Sequence, residues 1–208
     1  MSTSRLEAFS DGVLAIIITI MVLELRVPAS ETTDVATFAE LKAAHLLPVF
    51  LSYVLSFIYI AIYWNNHHHL MFMTETVTGG VLWANMHLLF WLSLVPFVTN
   101  WMGENAFDAA PAALYGVVLL FAGCAYYVLA QTIIRSQGEN SRLREAIGRD
   151  RKGITSVVVY AAALPLAYVQ AWIAYLLYAL VAAMWLVPDR RIARAVTAHE
   201  ANPGAERP

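Results

Sequence analysis

From Ile154 to Pro188 the chain runs 35 residues without an Asp, Glu, Lys or Arg. One helix of that length would measure about 52 Å, whereas the hydrocarbon core of a bilayer is about 30 Å thick. The stretch is therefore expected to cross twice, over 154–170 and 172–187, turning near Gln170 and Trp172 with Pro165 bending the first pass. Four further apolar runs precede it, at 9–25, 46–64, 82–101 and 112–134, each of spanning length. The expected fold is an all-α integral membrane protein with six transmembrane helices. The composition agrees, at 60% hydrophobic and 13% charged, where soluble domains are about half apolar and about a quarter charged. The first run does not read as a cleavable signal peptide, because Glu7 and Asp11 lead it and Glu24 follows it. The single cysteine, Cys124, lies in an apolar run, so no intrachain disulfide can form and a small buried hydrophobe is expected.

The basic residues orient this arrangement. With the N-terminus inside, the cytoplasmic segments hold Arg5, then Arg135, Arg142, Arg144, Arg149, Arg151 and Lys152, then Arg190, Arg191, Arg194 and Arg207, eleven of the 13 Lys and Arg. Only Arg26 and Lys42 fall outside, beside Glu31, Asp34 and Glu40. That bias is the one the positive-inside rule describes, and it places both termini in the cytoplasm. A five-pass chain would leave the basic C-terminus outside. Residues 1–188 thus form one six-span unit, and 189–208 form a short cytoplasmic tail. Trp64, Trp83, Trp101 and Trp172 fall near the expected span ends, where an interfacial aromatic belt would place them.

The first span carries charge that a bilayer disfavours. At 100° per residue, Arg5, Phe9, Gly12, Ile16, Ile20 and Leu23 share one helix face, with Thr19 at its edge. Asp11 lies about 120° around from Arg5, so the two make a poor pair within one helix. A carboxylate at that depth needs a donor from another helix or another subunit. The third span offers Trp83, Asn85 and His87. On the residues alone two arrangements stand: a packing helix anchored at the headgroups, or a helix that lines a pathway.

The spacing Arg5-x-x-x-Phe9-Ser10-Asp11 resembles the R-x-x-x-F-S-D signature that opens the first helix of the transmembrane-protein-175 family, the endosomal and lysosomal potassium channels and their prokaryotic relatives. The six spans, the third-span "HLLFWLSLVPF" and the basic segment between spans four and five are similar as well. The resemblance implies a potassium-permeable cation channel in a prokaryotic cell membrane, a homotetramer of six-span subunits with the first helix lining a central pore. It implies a hydrophobic gate at Ile16, with Thr19, Ile20 and Leu23 as further pore positions. Arg5, Phe9, Ser10 and Asp11 would tie neighbouring helices, with Trp83 and His87 as their partners and Gly12 allowing close approach. No Thr-Val-Gly-Tyr-Gly filter is present; Tyr115-Gly116, the lone Tyr-Gly, sits within an apolar span. Selectivity for potassium over sodium is therefore expected to be weak to moderate. Acidic residues at the outer mouth, Glu24, Glu31, Asp34, Glu40, Glu104 and Asp108, would either concentrate cations or form a solvated loop surface.

Other constellations carry less. In "NNHHHL" (Asn65 to Leu70) three successive histidines point about 100° apart on a helix and cannot share one metal ion; a turn at the cytoplasmic end of span two is expected, with a proton-sensing role for His67–His69 left open. The segment from Arg135 to Lys152 reads as a topogenic loop with a short helix touching anionic lipid. Intramembrane catalytic patterns are absent, so an enzyme is not expected. The expected partners are other copies of the chain, membrane lipid and permeant monovalent cations, with no nucleic acid, no metal site and no cofactor beyond potassium as permeant ion. The alternative is a proton-coupled secondary transporter, or a proton-permeable channel, using Asp11 and His87. The broken helices and inverted repeats typical of transporters are not visible in the sequence.

Overall fold

The computed structural model describes residues 2–25, 46–105, 108–138, 143 and 151–186, and helices are the only regular secondary structure among them. Helix α1 (Thr3–Leu23) is capped by the Ser2 hydroxyl, which accepts from the Arg5 amide at 3.4 Å. Helix α2 covers Leu46–Phe72. Helices α3 (Gly79–Ser93) and α4 (Val95–Glu104) form one pass that is interrupted at Leu94. The interruption lies just before Pro96, whose ring nitrogen has no proton to give the preceding turn. Helix α5 (Ala109–Gln137) ends at Gly138, where φ is +80°, a conformation that favours glycine at a helix C-terminus. Helices α6 (Arg151–Val169) and α7 (Ala171–Leu186) are separated by Gln170 alone, and Pro165 sits inside α6 without ending it.

Five of these passes are long and apolar enough to cross a membrane: Thr3–Leu23, Leu46–Phe72, Gly79–Glu104, Ala109–Gln137 and Lys152–Val169. Helix α7 makes the sixth pass with 16 described residues. It returns antiparallel to α6, because the Trp185 indole near its end donates to Ser156 near the start of α6 at 2.8 Å. Similar cross-links fix which helix ends lie together. Thr3 Oγ1 donates to the Thr74 carbonyl just after α2, and Gln137 Nε2 at the end of α5 donates to the Met73 carbonyl at 2.8 Å. One end of the bundle therefore gathers the N-termini of α1 and α6 with the C-termini of α2, α5 and α7. Arg5, Arg135 and Lys152 all lie at that end.

Lipid is as apolar as leucine, so helices in a bilayer associate through close packing and buried hydrogen bonds rather than through the hydrophobic effect. The interior has both. Ala112, Ala122, Ala125, Ala163 and Ala174 are fully buried between α5, α6 and α7. Around them Thr99 donates to Ser56 at 2.7 Å, Ser56 meets the Tyr115 hydroxyl at 3.0 Å, and Tyr59 donates to the Tyr178 carbonyl at 2.7 Å. The Tyr178 hydroxyl donates in turn to the Ala112 carbonyl at 3.0 Å, beside Gly116. A Cβ on Gly116 would overlap that hydroxyl and approach Leu164 Cδ2 at 3.1 Å. Gly116→Ala is therefore expected to destabilise the fold by about 1–3 kcal/mol, read as a lower thermal midpoint in detergent. Tyr115 and Gly116 are buried within α5, a helical setting that no filter loop shares.

Two expectations need correction. The turn expected at Asn65–Leu70 is helix, because α2 continues to Phe72. His67 and His68 find partners on other helices and Asn66 on its own, so the chain has no need to turn where hydropathy falls. Trp64 consequently lies well inside α2 rather than at its end. The basic segment between α5 and α6 lies mostly outside the described residues. So do Arg26, Glu31, Asp34, Glu40 and Lys42 and the tail 189–208.

Candidate functional site

Helix α1 has two unlike sides. Leu6, Ser10, Leu14, Ile17 and Met21 are buried, falling within about 80° of one another at 100° per residue, and they rest on α2, α3 and α4. Arg5, Phe9, Gly12, Ile16, Thr19, Ile20 and Leu23 form an exposed stripe around the other side. Ile16 is 58% exposed and Leu23 75% within the subunit.

The buried side is tied by a chain of hydrogen bonds. The Ser10 hydroxyl donates to the Leu6 carbonyl one turn back at 2.9 Å and accepts from Asn85 Nδ2 at 2.9 Å. Asn85 Oδ1 faces His67 Nε2 at 2.8 Å. With its amide donating to Ser10, Asn85 offers only its carbonyl to the ring, so the network assigns a proton to Nε2 of His67. All three side chains are at most 1% exposed, and they join α1, α3 and α2 in a dry interface. His67 Nδ1 is buried without a hydrogen-bond partner among the described residues.

A second set of contacts runs along the edge of the same interface. Thr3, Glu7 and Asp11 are spaced four apart on α1, so they stack on one line of the helix. Thr3 bonds the Thr74 carbonyl at 3.2 Å, Glu7 Oε1 meets His68 Nδ1 at 2.7 Å, and Asp11 Oδ1 accepts the Trp64 indole proton at 3.0 Å. Trp64 and His68 are themselves four apart on α2, and their rings stack at 6.4 Å with 24° between planes. The result is a ladder that fixes the register of α1 against α2. Its rungs are partly exposed, so each adds less stability than the buried Ser10–Asn85–His67 chain.

The two third-span partners named from the sequence lie elsewhere. Trp83 is 78% exposed, and His87 accepts from Trp91 Nε1 on its own helix at 3.0 Å. The reason is angular. Residues two apart on a helix point about 160° apart, so Asn85 cannot share a side with Trp83 and His87. Asn85 belongs to the buried stripe of Val81, Leu88 and Leu92, and that periodicity marks it as the inward residue. His67 was legible in the same way, between the buried Ile60 and Met71 on α2. Arg5 is exposed, and its side chain has no partner among the described residues; Phe9 is 48% exposed. Thr19 Oγ1 donates back into its own helix, to the carbonyls of Ala15 and Ile16 at 3.0 Å, leaving oxygen lone pairs on the exposed stripe.

His67, His68 and His69 serve separate environments, and no group of three His, Cys, Asp or Glu side chains among the described residues could hold a metal ion. The site has one strongly fastened side and one bare aliphatic side. Its hydrogen bonds position a helix, and none of them pairs a nucleophile with a base.

The chain is similar to known proteins. Residues 5–96, which contain α1 and the polar chain, match the family model described as the endosomal/lysosomal potassium channel TMEM175. A potassium channel of a Chryseobacterium species is 50% identical over 196 residues, covering 94% of this chain and 98% of the relative. A potassium channel of Streptomyces collinus is 31% identical over 131 residues, covering 61% of this chain and 62% of the relative. The crystal structure of a lysosomal potassium-selective channel TMEM175 homologue from Chamaesiphon minutus superposes with a TM-score of 0.76 at 25% identity, covering 89% of this chain and 96% of that one. With its signature on the fastened helix and near-complete coverage by a relative at half identity, this chain is a multi-pass membrane protein that belongs to the TMEM175 potassium channel family.

Proposed function

We propose that this chain forms a potassium-permeable cation channel in a prokaryotic plasma membrane, as a homotetramer with four copies of α1 around the axis. The observation that carries this reading is the asymmetry of α1. One side is held by the Ser10–Asn85–His67 chain and the Asp11–Trp64 ladder, while Ile16, Thr19, Ile20 and Leu23 stand exposed within the subunit. Four such stripes facing one another enclose a narrow aliphatic passage, and the family resemblance implies that number.

Residues 1–188 act as the channel unit and 189–208 as a cytoplasmic tail. The end that gathers Arg5, Arg135 and Lys152 faces the cytoplasm by the positive-inside rule, with both chain termini. Ile16 is the gate: an apolar ring makes a water column unfavourable until it widens, so conduction requires movement of α1. Thr19 adds a ring of hydroxyl oxygens one turn further along. Fixed carbonyl cages are missing from such a passage, so preference for potassium over sodium is modest. Glu24, Glu104 and Asp108 stand at the opposite end and attract cations to the outer mouth. Arg5 and Phe9 lie on the stripe nearest the cytoplasm, where a neighbouring subunit supplies their contacts. No cofactor takes part beyond the permeant ion.

Cysteine chemistry tests the assignment. In a Cys124→Ala background, Ile16→Cys is expected to cross-link copies of the chain under mild oxidation and to let water-soluble thiol reagents block the conductance. Leu176→Cys, on the exposed face of α7, should do neither. A folded Ile16→Cys protein that reacts only with lipid-soluble reagents would place α1 against the bilayer instead.

A further inference from the structure

A cavity of about 380 Å³ lies between α2, α5, α6 and α7, with walls that include Tyr63, Gly123, Cys124, Val157, Val158 and Trp185. The volume is within the roughly 300–1,000 Å³ range of pockets that bind small molecules. Its lining is almost wholly apolar, and its rim is exposed: Ile154 is 61% exposed, Val158 62% and Tyr127 53%. These rim residues sit on membrane-crossing helices, so the cavity opens sideways at a depth where acyl chains are the solvent. A cation stands beside it. Lys152 Nζ lies 5.7 Å from the centroid of the Trp185 ring, itself part of the wall, and the next residue, Gly153, also lines the cavity. No Asp or Glu is among the described lining residues.

The depth is also ordered. Lys152 lies in the first turn of α6 at the basic end of the bundle, and Tyr160, which also lines the cavity, is eight residues further in, about 12 Å along the helix. Charge at the interface with a slot running inward is the shape of an amphiphile. We propose that this slot binds one anionic phospholipid from the cytoplasmic leaflet, with an acyl chain in the cavity and its phosphate at Lys152. An acyl chain gains little by leaving other acyl chains, since lipid already surrounds it; filling the void recovers packing contacts only. Selection among lipids therefore falls to the headgroup, where juxtamembrane lysines and arginines attract anionic phosphate.

The slot also bears on α1. Tyr63 and Asn66 face the cavity from α2, while Trp64 and His68 on the same turns face α1. At 100° per residue the two sets point to opposite sides of α2. A bound lipid thus braces α2 from behind the contacts that hold α1. Asn66 is held there as well, its carbonyl accepting from the Tyr126 hydroxyl at 3.2 Å. The binding site does not depend on whether the protein conducts ions.

The test uses the full chain purified in detergent, with dioleoylphosphatidylglycerol or dioleoylphosphatidylcholine added at equal micellar fraction. The anionic lipid is expected to raise the thermal midpoint by roughly 5 °C at saturation, and the zwitterionic lipid far less. Gly123→Leu and Val157→Phe, two independent ways of filling the slot, should each abolish the rise. Lys152→Gln should reduce the response to the level of phosphatidylcholine. A phosphatidylglycerol carrying a diazirine in its tail should label residues of α5 and α6 around the cavity. An undiminished shift in either folded slot-filling variant, an equal response to both lipids, or labelling confined to other surfaces would each overturn the proposal. Cross-linking that instead joins Val158→Cys on two copies would show the rim to be a subunit interface, with the same consequence.

Discussion

Replacing Ile16 with asparagine is expected to raise basal cation flux by at least about tenfold in reconstituted vesicles, the effect of lowering the proposed conduction barrier by about 1.4 kcal/mol. The figure is conservative, because one substitution changes every subunit's contribution to the ring. Isoleucine and asparagine differ modestly in bulk, so the passage stays narrow while its wall gains donors and acceptors for water. A dewetted constriction then fills, and ions no longer wait for the ring to widen. Within the subunit Ile16 touches little that the change could disrupt, being 58% exposed on a helix whose opposite face does the packing. Leu176→Asn, at an exposed position of α7, provides the control and should leave flux unaltered. Unchanged flux in a folded, assembled Ile16→Asn protein counts against the gate.

The second large effect concerns the buried chain behind the proposed gate. Asn85→Leu removes both of its interhelical hydrogen bonds and leaves His67 with neither ring nitrogen partnered in a buried interface. A buried polar group stranded in this way costs about 1–3 kcal/mol. In a chain of this size that corresponds to a fall of roughly 5–10 °C in thermal midpoint. The double substitution Asn85→Leu with His67→Leu is expected to recover most of the loss, since removing both partners leaves nothing unsatisfied. A double variant no more stable than Asn85→Leu alone would mean that the cost comes from packing rather than from the stranded imidazole. Weakening this tie should also alter gating, because it frees α1 from α2 and α3 at the level of Ser10.

Much of this architecture is legible in the order of residues. A charge-free run of 35 residues cannot be one crossing, and the return at Gln170 follows from its length. The exposed stripe of α1 follows from its 3.6-residue period, and Arg5, Phe9, Ile16 and Leu23 all lie on it. Hydropathy misleads at the far end of α2. Asn65 to His69 are polar, so an apolar window stops at Trp64, yet Asn66, His67 and His68 are spent on the helix's own Ile62 carbonyl, Asn85 and Glu7. A run of polar residues can thus continue a membrane helix when a neighbouring helix carries complementary groups. Trp83 and His87 have suitable chemistry, but the helix angle turns them away from the Ser10–Asn85–His67 chain within the subunit. The lipid slot lies beyond sequence reasoning altogether, because its walls come from four helices with no local pattern in common.

The central claim is that the bare side of α1 surrounds a potassium pathway. The most direct measurement is the reversal potential of the purified protein in a planar bilayer, with potassium on one side and sodium on the other. A cation-selective current is expected, with a reversal that leans modestly toward the potassium equilibrium potential. Electrical silence, with ion flux appearing only when a proton gradient is supplied, would contradict it and assign Asp11 and its neighbours to a coupled transporter.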